Sequence, residues 1–177
     1  MRSGKMKSAG LAIAVISLLF AGCDRDFREY SDADLGFAIE YPVGWMIKRV
    51  DQEGIAIKFE SPMENENDGF RENISVTAGE YVREVSPREF SELSMTLTRS
   101  IMKNVIIRKE GAYTEGKMKG YFIDYTALDF EGNERLFHQV FFVHRTMLYS
   151  IISTIEEKKA AKYFPIISRV VDSFRLK

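Results

Sequence analysis

Three observations predict an α+β fold, with an antiparallel β-sheet flanked by helices on both faces as an α/β/α sandwich. The stretch from Leu136 to His144 is mainly apolar at both parities. One parity holds Leu136, His138, Val140, Phe142 and His144, and the other holds Phe137, Gln139, Phe141 and Val143. A strand that is apolar on both faces is covered on both faces. Two amphipathic helices, one mid-chain and one terminal, are available to cover it. Between two long apolar runs, Asp129-Phe130-Glu131-Gly132-Asn133 is hairpin chemistry, which pairs the runs antiparallel.

The chain opens on a different kind of segment. Arg2, Lys5 and Lys7 precede a run from Ala9 to Gly22 with no charge in it. As a helix this run rises about 21 Å, short of a hydrocarbon core of about 30 Å. Residues 1–22 therefore read as a secretory signal peptide. Its end, Leu18-Leu19-Phe20-Ala21-Gly22-Cys23, resembles the bacterial lipobox, in which the cysteine is acylated and becomes the mature N-terminus. Cys23 is the one cysteine of 177 residues, so it is the expected lipidation site and no intrachain disulfide can form. Two or more acyl chains anchor a protein stably where one is marginal. The expected location is the cell membrane, lipid-anchored and facing the periplasm or cell exterior. Residues 24–34 are dense in charge and read as a solvated tether, which places the domain at residues 35–177.

Within that domain, Phe37, Ile39 and Tyr41 alternate with Ala38 and Glu40, a strand closed by Pro42-Val43-Gly44. Strands are predicted at Trp45–Val50, at Ile55–Phe59 and, after a polar loop from Pro62 to Glu72, at Asn73–Ala78. Ser86-Pro87-Arg88-Glu89 is a helix start, with the serine capping and the proline in the first turn. Phe90, Leu93, Leu97 and Ile101 then recur at helical spacing and predict its buried face. Strands follow at Val105–Arg108, Met118–Leu128, Arg135–His144 and Met147–Ile155. Thr154 and Glu157 are positioned to cap a terminal helix carrying Tyr163, Ile167, Val170 and Phe174, with Pro165 inside its pattern.

Charge excludes one class of function. The whole chain stands at −1, but three of its 25 basic residues lie in the leader, leaving the remainder at about −4. Such a surface does not suit a phosphate backbone, so no nucleic-acid partner is expected.

Catalytic signals are sparse. No Gly-x-Ser-x-Gly elbow is present, the single cysteine is taken by the lipid, and there are two histidines. His138 and His144 lie about 20 Å apart along a strand and cannot share a metal. One reads as a satisfied histidine in a packed face, the other as lying near a strand end. The loop from Glu64 to Glu72 places Glu64, Glu66 and Asp68 at alternate positions before Gly69, like the start of a calcium loop. Position twelve is Ser75 where that motif needs a bidentate glutamate, so these three are weak metal candidates beside the reading as a solvated hairpin loop. Lys158, Lys159 and Lys162, next to Glu156 and Glu157, read as a mixed solvated helix face. No cofactor is expected.

Several segments together carry a family resemblance. Phe37-x-Ile39-x-Tyr41-Pro42-x-Gly44-Trp45, Phe59-x-Ser61-Pro62, Asn73-Ile74-Ser75-Val76 and Val170-Val171-Asp172-Ser173-Phe174-Arg175 resemble the PsbP-like family, including bacterial lipoproteins of the DcrB type. The resemblance implies a central antiparallel sheet between helices and an accessory role rather than catalysis. Two functional readings follow. The first is a non-catalytic, membrane-tethered accessory protein that binds a protein partner in the cell envelope. The second is a binder of a small ligand or metal ion, using a cleft between sheet and helix or the Glu64–Glu72 loop.

Overall fold

The computed structural model describes residues 26–49 and 55–177, so the leader and Cys23 lie outside the described residues. Its elements in chain order are β1 (Phe27–Asp32), β2 (Phe37–Pro42), β3 (Met46–Lys48), β4 (Ile55–Glu60), β5 (Asn73–Glu80), α1 (Pro87–Ile101), β6 (Lys103–Tyr113), β7 (Gly120–Leu128), β8 (Glu134–His144), β9 (Met147–Ile155), a 3-10 turn (Glu157–Lys159), α2 (Ala160–Ser173) and β10 (Arg175–Leu176). Seven strands form one antiparallel sheet in the order β3-β4-β5-β9-β8-β7-β6, and β1-β2-β10 form a second, three-stranded sheet.

The doubly apolar strand is β8, and it sits between β7 and β9 with both faces covered. On one face Phe137 and Phe141 join Ile123, Tyr125 and Ala127 under Met95 of α1. On the other, Val140 and Phe142 enter a larger core with Phe59, Ile74, Tyr149 and Ile151 of the same sheet. That core is closed by Ile167 and Val170 of α2 and by Phe37 and Ile39 of the small sheet. Phe174 is its centre: its ring lies 5.0 Å from Phe142, 5.4 Å from Tyr149 and 5.7 Å from Phe37. The sandwich is as expected, and the second sheet adds to one of its layers.

Three expectations are corrected. The stretch assigned to a tether is in part a strand, because β1 pairs residue for residue with β2 from Phe27↔Pro42 to Asp32↔Phe37. Tyr30 tilts against Phe37 and Phe59, and the Arg169 guanidinium lies 3.9 Å from the Phe27 ring centre. Those two aromatics are three residues apart among charges, a spacing that hides the strand period.

The second correction concerns α1. Ser86 caps it as predicted, its hydroxyl accepting from Glu89 N at 3.1 Å. Its most buried residues, however, are Ser91 and Met95, while Leu93, Leu97 and Ile101 are exposed, Leu97 by 63%. Phe90 of the predicted stripe does pack on the sheet, its ring 5.2 Å from Phe141, and Met95 joins Tyr125 and Phe137 in the same cluster. Gln139 Nε2 links the sheet to the helix, donating to Ser94 Oγ at 3.2 Å and to Ser150 Oγ at 2.8 Å.

Third, no side chain caps the terminal helix. The 3-10 turn leads into α2, and Pro165 lies within it.

Two glycines are required by geometry. Trp45 N donates to Pro42 O across a turn whose third residue, Gly44, has φ +89°, the left-handed position of a type II turn. A Cβ on Gly120 would overlap Phe141 O and approach the Phe142 ring to 2.8 Å. Gly120→Ala is therefore expected to lower stability by about 1–3 kcal/mol in urea denaturation. Gly79→Ala, where a Cβ meets nothing within 4 Å, is expected to change it by less than about 0.5 kcal/mol.

Candidate functional site

Two polar constellations stand out, one in the loop between β4 and β5 and one beneath α2. The loop is folded by its own side chains. Asp68 accepts from Glu64 N at 2.9 Å and Phe70 N at 3.4 Å, and Arg71 donates to Ser61 O at 2.8 Å. This brings Glu64, Asp68 and Glu72 together, with ligand oxygens within 4.8 Å of one another. Of the expected calcium set, Glu64 and Asp68 are in the cluster and Glu66 is exposed outside it. Glu72, which sequence reasoning passed over, completes it from the buried start of β5.

A cation already stands there. Lys159 Nζ lies 2.8 Å from Asp68, 3.1 Å from Glu156, 3.3 Å from Glu72 and 3.8 Å from Glu64. Lys162 Nζ adds a 3.0 Å contact to Glu64, and Tyr163 OH donates to the same carboxylate at 3.0 Å. Lys159 is thus the hub of the cage and not part of a solvated face, with 13% of its side chain exposed. The donors are arranged around an ammonium, which fixes the loop to the start of α2.

The electrostatics follow the geometry. The Glu64 amide and then the Lys159 ammonium hold the Asp68 carboxyl down at about 2. Burial opposes the charge on Lys159, but its bonds to Asp68 and Glu156 outweigh burial and raise its pKa. Burial, with a smaller contribution from Glu64, pushes the Tyr163 phenol up to about 12.

The second constellation is a cleft of about 280 Å³ between α2 and the β6–β8 part of the sheet. Phe122, Phe164 and Tyr113 give it aromatic walls. In its wall Asp124 of β7 and His138 of β8 face each other in register, with Oδ1 to Nδ1 at 2.6 Å. The imidazole is flanked by Phe122 at 6.1 Å and Phe164 at 5.8 Å. Tyr113 OH donates to Asp172, and burial first, then that carboxylate, raises the phenol pKa. Lys109 Nζ hangs 5.3 Å above the Phe122 ring. Glu115, Asp124 and Asp172 thus face Lys109 and His138 around an apolar hollow.

His138 is the satisfied histidine of a packed face, and His144 is exposed at its strand end, as expected. Among the described residues no hydroxyl is hydrogen-bonded to His138, whose Nδ1 partner is Asp124. The signal for it was present in the sequence. Asp124 and His138 are the polar interruptions on the parities that otherwise hold Phe122, Leu136, Val140 and Phe142.

A seven-stranded sheet with a helix on one face, and a helix plus a small sheet on the other, defines an α+β sandwich of PsbP type. The family profile for PsbP matches residues 25–176, and the chain belongs to the PsbP family. Its fold is similar to that of the cyanobacterial PsbP protein of Synechocystis sp. PCC 6803 (CyanoP), with a TM-score of 0.66, 18% identity and 98% of each chain covered. It is also similar to LpqN of Mycobacterium tuberculosis, a protein involved in cell envelope biogenesis, with a TM-score of 0.63 and 10% identity over 87% of this chain and 93% of that one. No curated protein matches the chain in sequence. Members of the family are generally non-catalytic accessory proteins.

The cage makes acid sensitivity testable. An unfolded aspartate titrates near 3.9, so Asp68, held near 2, contributes stability that is complete above about pH 5. That contribution is lost as the pH falls toward 2. Asp68→Asn is expected to lower stability at neutral pH and to flatten the acid limb of a pH–stability curve over that window. Lys159→Met, which leaves the buried carboxylates uncompensated, is expected to cost about 3 kcal/mol at pH 7 in urea denaturation.

Proposed function

We propose that this protein is a lipid-anchored binding protein of the bacterial cell envelope, tethered through Cys23. On this reading it performs no covalent chemistry, and the cleft beneath α2 takes the ligand. The single observation that carries the binding role is the pairing of aromatic walls with carboxylates around that hollow. Rings supply area and a negative face, and acids supply charge, which together suit a cationic group on an apolar stem. The Lys109 ammonium over Phe122 displays that recognition internally. A lysine or arginine side chain presented by an envelope protein has the same chemistry, so the proposed partner is a protein.

Membership of the PsbP family and the fold shared with LpqN support an accessory role in the envelope. The lipobox resemblance at Leu18–Cys23 supports the anchor. Holding the domain at a membrane raises its effective concentration toward other membrane proteins, so a contact of modest affinity suffices. A calcium-binding role for the Glu64–Glu72 loop is disfavoured by the lysine inside it.

Two measurements test the proposal. Wild-type protein is expected to stay with membranes after a high-salt wash and Cys23→Ser to be released; a Cys23→Ser protein that stays bound would contradict the anchor. For the cleft, proteins co-purifying with the wild type from its own membranes are compared with those held by an Asp124→Asn, Asp172→Asn variant. Loss of a charge-assisted contact is expected to weaken a specific partner by about tenfold or more. Equal recovery with a normally folded variant would remove the cleft from the binding role.

A further inference from the structure

We propose that the end of the molecule bearing Val43, Met46, Met63 and Phe130 is a bilayer-contact face, seated on the phospholipid surface to which Cys23 is anchored. The inference rests on the lipid-anchor reading above and adds to it a defined orientation.

Strand register shows what shares that end. Met46 lies opposite Glu60, Glu60 opposite Asn73, and Asn73 opposite Thr154. Leu136 lies opposite Ile155, Glu134 opposite Leu128, and Leu128 opposite Lys103. One end of the large sheet therefore carries the start of β3, the loop after β4, the turn before α2, the β7–β8 hairpin and the end of α1. The chain arrives at this same end. Asp26 O accepts from Val43 N at 2.8 Å, and Val43 is three residues before Met46. Residues 24 and 25 separate Cys23 from Asp26, so three extended steps reach at most about 11 Å. An acylated Cys23 lies at the interface with its chains in the hydrocarbon, and it cannot let this end of the domain stand far from the headgroups.

This end exposes large apolar side chains, with the acids Glu131 and Glu134 exposed beside them. Val43, Met46, Met63 and Ile101 are exposed there, and Phe130 at the hairpin tip is 93% exposed. The ring is not needed for the turn. Asp129 shapes it by accepting from Glu131 N at 3.0 Å and Asn133 N at 2.8 Å, and Gly132 supplies the left-handed residue at φ +86°. Lys58 and Arg71 line the depression on one side of Phe130, and Lys103 the depression on the other. Asp129 and Glu60 beside them are already held by Arg135 and by Lys48 and Lys58. The neighbouring loop with Glu64 and Asp68 is acidic, so the contact depends on apolar insertion and not on anionic lipid. At the opposite end, Val82 is the comparably exposed apolar side chain, at 92%.

The test uses the mature lipidated protein in phosphatidylcholine vesicles. Acylation blocks the only native thiol, so Phe130→Cys and Val82→Cys each introduce one free thiol for a nitroxide label. Collision with oxygen, which concentrates in the bilayer, is compared with collision with a water-soluble nickel chelate. The label at position 130 is expected to lose most of its nickel-chelate collisions and gain oxygen collisions on vesicles, while the label at position 82 keeps the aqueous pattern. A vesicle-bound protein whose label at 130 stays as aqueous as the label at 82 overturns the seated face and leaves the anchor standing. A mature protein whose Cys23 thiol is unmodified by mass spectrometry overturns the anchor and the orientation together.

Discussion

The rest of the structure depends on the constraint that β8 has no face left for water. Phe137 and Phe141 point one way, Val140 and Phe142 the other, and all four are buried. Two separate covers are therefore obligatory. α1 supplies one, through Phe90, Ser91 and Met95. The other needs more area than α2 alone provides, and β2 supplies it with Phe37 and Ile39. Phe174, at the exit of α2, stacks on Phe142 and joins the two sheets. Removing apolar surface from water on both sides of one strand is the main favourable term available to a domain of this size.

A sheet covered in this way leaves few polar groups unpaired, and the polar constellations grow out of that need. Most inward polar residues have a partner, while the buried hydroxyls of Thr126 and Ser153 have none. Asp124 meets His138 across the ladder, Gln139 bridges Ser94 and Ser150, and Arg135 spans Asp129 and Glu156 with its guanidinium 3.9 Å from the Phe70 ring centre. Beneath α2 the pairing reaches the surface and leaves a charged, aromatic hollow. In the β4–β5 loop it closes around the Lys159 ammonium. The two constellations look alike as residue types, but in one the cation is built in and in the other the space is open.

Much of the fold was legible in the sequence because burial writes itself into periodicity. The two parities of β8, the Ser86 cap and the hairpin at Asp129–Asn133 were readable from local residues alone. The buried face of α1 was not, since the large apolar stripe of Leu93, Leu97 and Ile101 points away from the sheet. Which face a helix buries depends on the volume already present beneath it, and that information lies in β7 and β8. β1 was hidden for a related reason: its pairing partner, not its own pattern, makes it a strand. At the candidate site His138 was visible as a polar break, whereas Lys159 could not be assigned. Its partner Asp68 lies 91 residues earlier, and only the folded chain brings the two together.

The position of Phe174 also governs how the protein can form. Its partners Phe37, Phe142 and Tyr149 are made long before it, yet the core they share stays open on one side until it arrives. β2 pairs with β1 early but gains its second neighbour only with β10, at Phe37 and Ala38. Contacts that join distant parts of the sequence are slow to form. Nearly the whole domain must be synthesised before its larger core can close. For a protein proposed to work in the cell envelope, the larger core is the last part of the domain to be completed.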